Sequence, residues 1–160
     1  MKFLKEIFPY VVILISVILI RTFIVTPVVV SGDSMNDTLN DNDILLLKKY
    51  DKSYDRFDII VFKYQNSKLV KRIIGLPGET VKYKDGKLYI NDEEINDEFS
   101  LITRDFDLSY LDIEIIPEGY YFVLGDNRNK SSDSRMIGLV SKEQIEGVTN
   151  FSIWPFKSFK

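Results

Sequence analysis

A mainly β domain behind a single N-terminal membrane helix is the fold this chain predicts, on three observations. The only long apolar run lies at the start, from Phe3 to Val25. Every later apolar stretch is short, rich in β-branched and aromatic residues, and bounded by turn formers. One segment, residues 80–90, alternates on both sides of Asp85-Gly86, a pair suited to a type I′ hairpin turn.

Within the first run, Ile7 to Ile20 is apolar apart from Ser16 and the Pro9-Tyr10 pair. Fourteen helical residues rise only about 21 Å, short of a hydrocarbon core of about 30 Å. The flanks from Phe3 to Val25 supply the rest, with Lys5, Glu6 and Arg21 near the ends. Lys2 and Lys5 ahead of the run place the N-terminus on the cytoplasmic side. A cleavable signal peptide also starts basic and turns apolar. The exit Thr26-Pro27-Val28-Val29-Val30 has no Ala-x-Ala pattern, however, and nothing else in the chain is apolar enough to enclose the run as a core helix. An uncleaved anchor over residues 1–27, followed by an extracytoplasmic domain over 28–160, is the expected organisation.

Strands are expected at Val28–Val30, Ile44–Leu47, Ile59–Phe62, Leu69–Ile74 and Tyr120–Leu124. A charge-dense second hairpin or loop is expected from Glu93 to Asp107. Ser141 suits the N-cap of a helical turn. A last strand runs from Val148 to Phe159 and carries Phe151, Trp154, Phe156 and Phe159. Those aromatics either close the core or, for Trp154 and Phe156 beside Lys157 and Lys160, settle at a membrane interface.

Composition excludes several function classes. The chain has 160 residues, 21 basic and 24 acidic, and neither His nor Cys. Residues 1–30 carry a net charge of +2, so the remainder carries −5. An acidic domain is a poor phosphate binder, and no nucleic-acid partner is expected. Catalysis that needs an imidazole or a thiolate is excluded, zinc would have carboxylates alone, and no disulfide can form. No metal or cofactor is implied. A hydrolase built from this chain needs Lys, Asp, Glu or Tyr as its base.

Directly after the apolar run comes Ser31-Gly32-Asp33-Ser34-Met35-Asn36-Asp37-Thr38-Leu39, on its own a polar turn. A hydroxyl such as that of Ser34 becomes a nucleophile when a neutral amine takes its proton. Lys71, inside the apolar run Leu69-Val70-Lys71-Arg72-Ile73-Ile74, suits that task, although a solvated strand lysine is the default. Burial lowers an amine pKa, and a fall from 10.4 to about 8 costs about 3.3 kcal/mol. The third polar stretch runs from Gly125 to Arg135. It reads either as surface loop or as a buried hydrogen-bond network; its spacing misses the EF-hand pattern.

Together these stretches resemble the type I signal peptidases, the membrane-bound Ser-Lys leader peptidases of bacteria. The resemblance covers nearly the whole chain in order. It runs through the anchor, Ser34-Met35 with Thr38-Leu39, Arg56 to Phe62, Val70 to Glu79, and Gly125-Asp126-Asn127-Arg128 with Ser131, Asp133, Ser134 and Arg135. With no room for the large insertion of the Gram-negative enzymes, the chain resembles the Gram-positive members. The fold implied is a compact domain of coiled antiparallel β-sheets, of the kind shared with LexA-like regulators. The activity implied is removal of signal peptides from exported precursors, after small residues at −1 and −3. Ser34 matches the acylated nucleophile and Lys71 the general base. Ser131 matches the hydroxyl that orients the lysine amine, Asp126 and Arg72 an ion pair, and Asp133 with Arg135 a further support. Met35 is a candidate to line a substrate pocket. The partners implied are signal-peptide-bearing precursors and the lipid bilayer, and a monomer is expected.

The chain departs from the family pattern at three positions. Asp37 stands where Pro is usual, Phe57 where Gly often follows the arginine, and Gly32 where Gram-negative enzymes carry a serine that contacts the oxyanion. Two rival classes remain. A LexA-like self-cleaving regulator needs a DNA-binding helical domain, which no segment here resembles. A catalytically silent homologue has lost the serine or the lysine, and both positions are filled.

Overall fold

The computed structural model describes residues 2–36, 38–99 and 103–159. Asp37, one of the three departures, lies outside the described residues, as does part of the charge-dense stretch at 100–102. The chain is mainly β, with one long N-terminal helix, as the sequence predicts.

Helix α1 spans Lys2–Phe23. Its stretch from Glu6 to Phe23 has a mean hydropathy of 2.0, is nowhere buried, and is long and apolar enough to cross a membrane. The helix ends at Phe23. The Arg21 carbonyl accepts the Thr26 hydroxyl at 2.7 Å, and the Lys49 ammonium lies 3.4 to 3.5 Å from the Thr22 and Arg21 carbonyls. A cation there complements the negative end of the helix dipole.

Among the described residues thirteen strands follow: β1 (Val25–Val29), β2 (Ile44–Lys48), β3 (Ile59–Tyr64), β4 (Ser67–Gly75), β5 (Val81–Lys84), β6 (Lys87–Ile90), β7 (Glu93–Ile95), β8 (Phe106–Asp107), β9 (Tyr120–Leu124), β10 (Val140–Ser141), β11 (Ile145–Thr149), β12 (Phe151–Trp154) and β13 (Lys157–Ser158). The larger sheet has the order β10-β9-β4-β3-β11-β2-β12-β13, with β1 also paired to β2. The smaller has the order β7-β6-β5-β8. A four-residue helix, α2, spans Ser134–Ile137.

Several boundaries differ from the sequence reading. β1 begins at Val25, directly after the helix, and pairs with β2 from Val25 opposite Lys48 to Val29 opposite Ile44. The division expected after residue 27 therefore falls inside a strand. Pro27 disguised it, yet an edge strand tolerates a residue that lacks an N–H. β7 and β8 do not form a hairpin with each other; they flank the two arms of the 81–90 hairpin. That hairpin turns on left-handed Asp85 and Gly86, as expected. A second two-residue turn, at left-handed Asn91 and Asp92, joins β6 to β7. The expected last strand is three, because the chain breaks at Asn150 and again after Trp154, and β12 and β13 pair with each other. Of its aromatics, Phe159 enters the core, whereas Trp154 and Phe156 are exposed. The Ser141 turn forms as a 3-10 turn over Lys142–Gln144, with the Ser141 amide donating to the Gln144 side chain.

Alternation along β9 shows how the sheets stack. Phe122 and Leu124 join Ile74, Tyr83, Leu88 and Phe106 in the cluster beneath the smaller sheet. Tyr121 and Val123 join Ile60, Phe62, Ile73 and Ile145 on the opposite face. Strands buried on both faces read as continuous apolar runs. Charged residues inside β4 are therefore held in the core.

Candidate active site

Ser34 sits in the turn that links β1 to β2. The strand register carries on past β1, with the Val30 amide donating to the Asp43 carbonyl at 2.8 Å. The chain then turns through Gly32, whose φ of 92° is easy only for glycine. Bonds from the Thr38 and Leu39 amides to the Met35 carbonyl close the turn. Met35 and Leu39 pack beneath it with Val30, Leu45, Ile59 and Phe159. Met35, expected at a substrate pocket, is 1% exposed and holds the turn down onto the core.

Lys71 projects from the middle of β4 and is itself buried. Its ammonium donates to Ser34 Oγ at 2.7 Å and to the Val70 carbonyl at 2.8 Å. Burial pulls its pKa down from 10.5 to about 8, against the opposing pull of Asp133 and Asp126. A group with pKa 8 is about one-tenth neutral at pH 7. At 2.7 Å, proton transfer between this nitrogen and the Ser34 hydroxyl needs no intervening water.

The adjacent residue, Arg72, takes the other face of the strand. It pairs through two nitrogens with Asp126, at 2.9 and 2.7 Å, and neither side chain is more than 1% exposed. It also donates to the Phe57 carbonyl at 2.7 Å and stacks 3.5 Å from the centre of the Phe99 ring. Phe57 holds a φ of 72°, a conformation that costs a bulky residue but not a glycine. The geometry accounts for the glycine usual at this position. Here Phe57 also packs on Phe99 and the cluster under the smaller sheet.

The stretch from Gly125 to Arg135 forms a hydrogen-bond network built on buried Asp126, Arg128, Asp133 and Ser134, with Asn129, Lys130 and Ser132 at the surface. Asp133 accepts from Arg135 Nε and Nη2, both at 2.8 Å, and from the Gly125 amide at 3.1 Å. The Arg135 guanidinium also donates to the Arg128 carbonyl. Ser134 accepts from the Val123 amide, which ties the loop to β9. The loop grips the Ser34 turn directly. The Asn127 amide donates to the Ser34 carbonyl and its side chain to the Asp33 carbonyl, each at 3.1 Å. Gly125 lies so close to the Ser34 carbonyl and to Ser131 that a Cβ would overlap both. Ser131 thus lies beside the Ser34 turn, but its hydroxyl has no hydrogen-bond partner among the described residues.

Of the expected residues, Ser34 and Lys71 are in direct contact, and Arg72 with Asp126 and Asp133 with Arg135 form two ion pairs. Gly125, Asn127 and Arg128 join the site as well, with no role that the quoted stretch alone assigns them. The Gly32 amide donates to Asp41 and is thereby engaged.

The signal peptidase family, peptidase S26, matches residues 1–154. Signal peptidase I S of Bacillus subtilis is 38% identical, covering 94% of this chain and 88% of its own length. Signal peptidase I of Bacillus caldolyticus is 40% identical, with 94% and 91% covered. The crystal structure of a signal peptidase I from Enterococcus faecalis superposes with a TM-score of 0.57 at 41% identity, covering 60% of this chain and 96% of that one. The chain belongs to the signal peptidase family, peptidase S26, and is a serine endopeptidase.

Proposed function

We propose that the protein removes N-terminal signal peptides from exported precursors, with Ser34 as nucleophile and neutral Lys71 as general base. The observation that carries this reading is the 2.7 Å contact between Lys71 Nζ and Ser34 Oγ in a buried site. Lys71 withdraws the proton as Ser34 Oγ attacks the scissile carbonyl, then gives it to the departing amine. The acyl-enzyme left behind is hydrolysed by water, activated by the same amine. The Ser34 amide is the proposed oxyanion donor, a kind of contact worth about 3 kcal/mol.

The supporting groups follow from rigidity. A base acts well only when held in one position. Asp126 with Arg72, and Asp133 with Arg135, fix the walls around Lys71. Ser131 is assigned the orienting role on the family resemblance, with its hydroxyl unengaged and beside Gly125. Precursors bind extended along the free edge of β1, which hydrogen-bonds only to β2 among the described strands. Small residues at −1 and −3 then face the turn. Helix α1 is the anchor, with the N-terminus cytoplasmic and the sheets outside. Enzyme and precursor then share one membrane surface, which raises effective concentration without new contacts.

The test is cleavage of a labelled precursor by the detergent-solubilised protein, beside Ser34→Ala and Lys71→Ala. The parent cuts at the signal junction and both variants lose at least about 1,000-fold in kcat. Because the working base is the neutral amine, parental kcat/KM rises with pH through about 8. A profile flat from about pH 6 to 9 removes Lys71 from the role.

A further inference from the structure

The smaller sheet carries no reacting group, yet it reaches into the site through one buried cluster. Arg128 leaves the active-site loop and enters that sheet. Its Nη2 lies 2.7 Å from Asp97 Oδ2, and the two side chains are only 1% and 5% exposed. Its Nη1 donates to the Tyr83 hydroxyl at 3.1 Å and to the Thr103 hydroxyl. The Tyr83 hydroxyl in turn donates to Asp97 at 2.7 Å. Burial pushes that hydroxyl well above its ordinary range, so it stays a donor. On the side of the site, Arg128 Nε donates to the Gly125 carbonyl at 3.0 Å.

We propose that Asp97 is a positioning residue for Ser34, acting through the Arg128 guanidinium on the Gly125 carbonyl. The inference rests on the reading of Ser34 and Lys71 as the reacting pair. Both polar groups of the Gly125 backbone are fixed, the carbonyl by Arg128 and the amide by Asp133. Gly125 has no slack, since it touches the Ser34 carbonyl and Ser131 more closely than any Cβ permits. Two residues on, the Asn127 amide holds the Ser34 carbonyl. Replacing Asp97 by a neutral residue leaves a buried guanidinium without its anion, and such a charge moves toward water or another acceptor. The Gly125 carbonyl then loses its fixed donor, and the displacement passes to Ser34. A misplacement of about 1 Å at a reacting group costs about 100-fold in rate.

A residue of this kind affects turnover more than substrate affinity, because Asp97 and Arg128 are both buried away from solvent. The experiment compares full-length Asp97→Asn, Arg128→Lys, the double variant, Tyr83→Phe and Ser34→Ala in detergent against one precursor peptide. Circular dichroism gives the folded fraction of each. Asp97→Asn lowers kcat about 10- to 100-fold per folded molecule with KM within about two-fold. The double variant loses little more than the worse single variant, because both changes break one contact. Tyr83→Phe keeps the ion pair and lowers kcat only a few-fold; Arg128→Lys, which lacks the Nε donor to the Gly125 carbonyl, decides the matter if Asp97→Asn does not fold. Parental kcat per folded molecule in Asp97→Asn, or in Arg128→Lys where the former is unfolded, overturns the proposal. So does a double variant whose loss is the product of the single losses. With Ser34→Ala inactive, such results remove the positioning role alone. Ser34→Ala cutting like the parent removes the catalytic pair and this inference with it.

Discussion

The active centre and the outer surface of this protein invert the usual arrangement of a water-soluble domain. Around Ser34 the charges are inside: Lys71, Arg72, Asp126, Arg128 and Asp133 are all buried. On α1 and at the tip of the β12–β13 hairpin the apolar groups are outside, with Trp154 71% and Phe156 83% exposed. The centre follows one rule with one exception. Each buried arginine meets a carboxylate, Arg72 with Asp126 and Arg128 with Asp97. Lys71 instead donates to a hydroxyl and a carbonyl. Neutral partners repay little of the desolvation of an ammonium, so the proton is what gives way. Paired charges make the frame rigid, and the charge bonded only to neutral groups is the proposed base.

Breaking a paired charge is expected to have the largest effect on stability. Asp126→Ala leaves the fully buried Arg72 without its carboxylate and costs about 3–5 kcal/mol in urea unfolding. A loss below about 1 kcal/mol would mean that the Phe57 carbonyl and the Phe99 ring suffice for the guanidinium.

Lys71→Met works in the opposite direction. Because the folded-state pKa is lowered to about 8, the folded chain holds fewer protons than the unfolded chain between pH 8 and 10.5. Parental stability therefore rises with pH through that window, and below it the protonated amine carries a penalty of about 3 kcal/mol. Lys71→Met is apolar and similar in length, so it is inactive but more stable than the parent at pH 7, by up to about 3 kcal/mol. Its unfolding free energy also lacks the rise between pH 8 and 10.5. A variant no more stable than the parent at pH 7 would show that the ammonium is comfortably solvated.

The same contrast explains what the sequence made legible. The apolar helix, the strand runs and the Asp85-Gly86 turn are local signals, and each appears in the structure. The pairing of β7 and β8 with opposite arms of one hairpin is not local, and no periodicity in residues 93–107 announces it. Lys71 was conspicuous as a charge among β-formers, and the family pattern supplied Ser34 and both ion pairs. Asp97 had no such signal: it is one acid among Asp92, Glu93, Glu94 and Glu98, and only the fold buries it. Phe57 shows the reverse case. The family resemblance marks it as unusual, and its left-handed backbone supplies the reason.

The smallest expected effect tests the outer half of the comparison. Trp154 is the only tryptophan in the chain, so its fluorescence reports on the hairpin tip alone. Aromatic rings settle at the headgroup level of a bilayer, where one face is apolar and the other wet. β1 pairs with β2 from Val25 opposite Lys48, beside the helix, to Val29 opposite Ile44, and Trp154 of β12 also lies opposite Ile44, so the tip is level with the Ser34 end of β1. With the protein reconstituted in vesicles, Trp154 emission shifts to the blue and is quenched by lipids brominated near the headgroup. Phe156→Ser weakens the quenching without changing cleavage of a soluble peptide, because Phe156 packs on Phe151 and has no part in the Ser34 turn. Emission that stays water-like in vesicles would leave α1 as the membrane-facing surface and make the exposed tip an ordinary solvent-exposed turn.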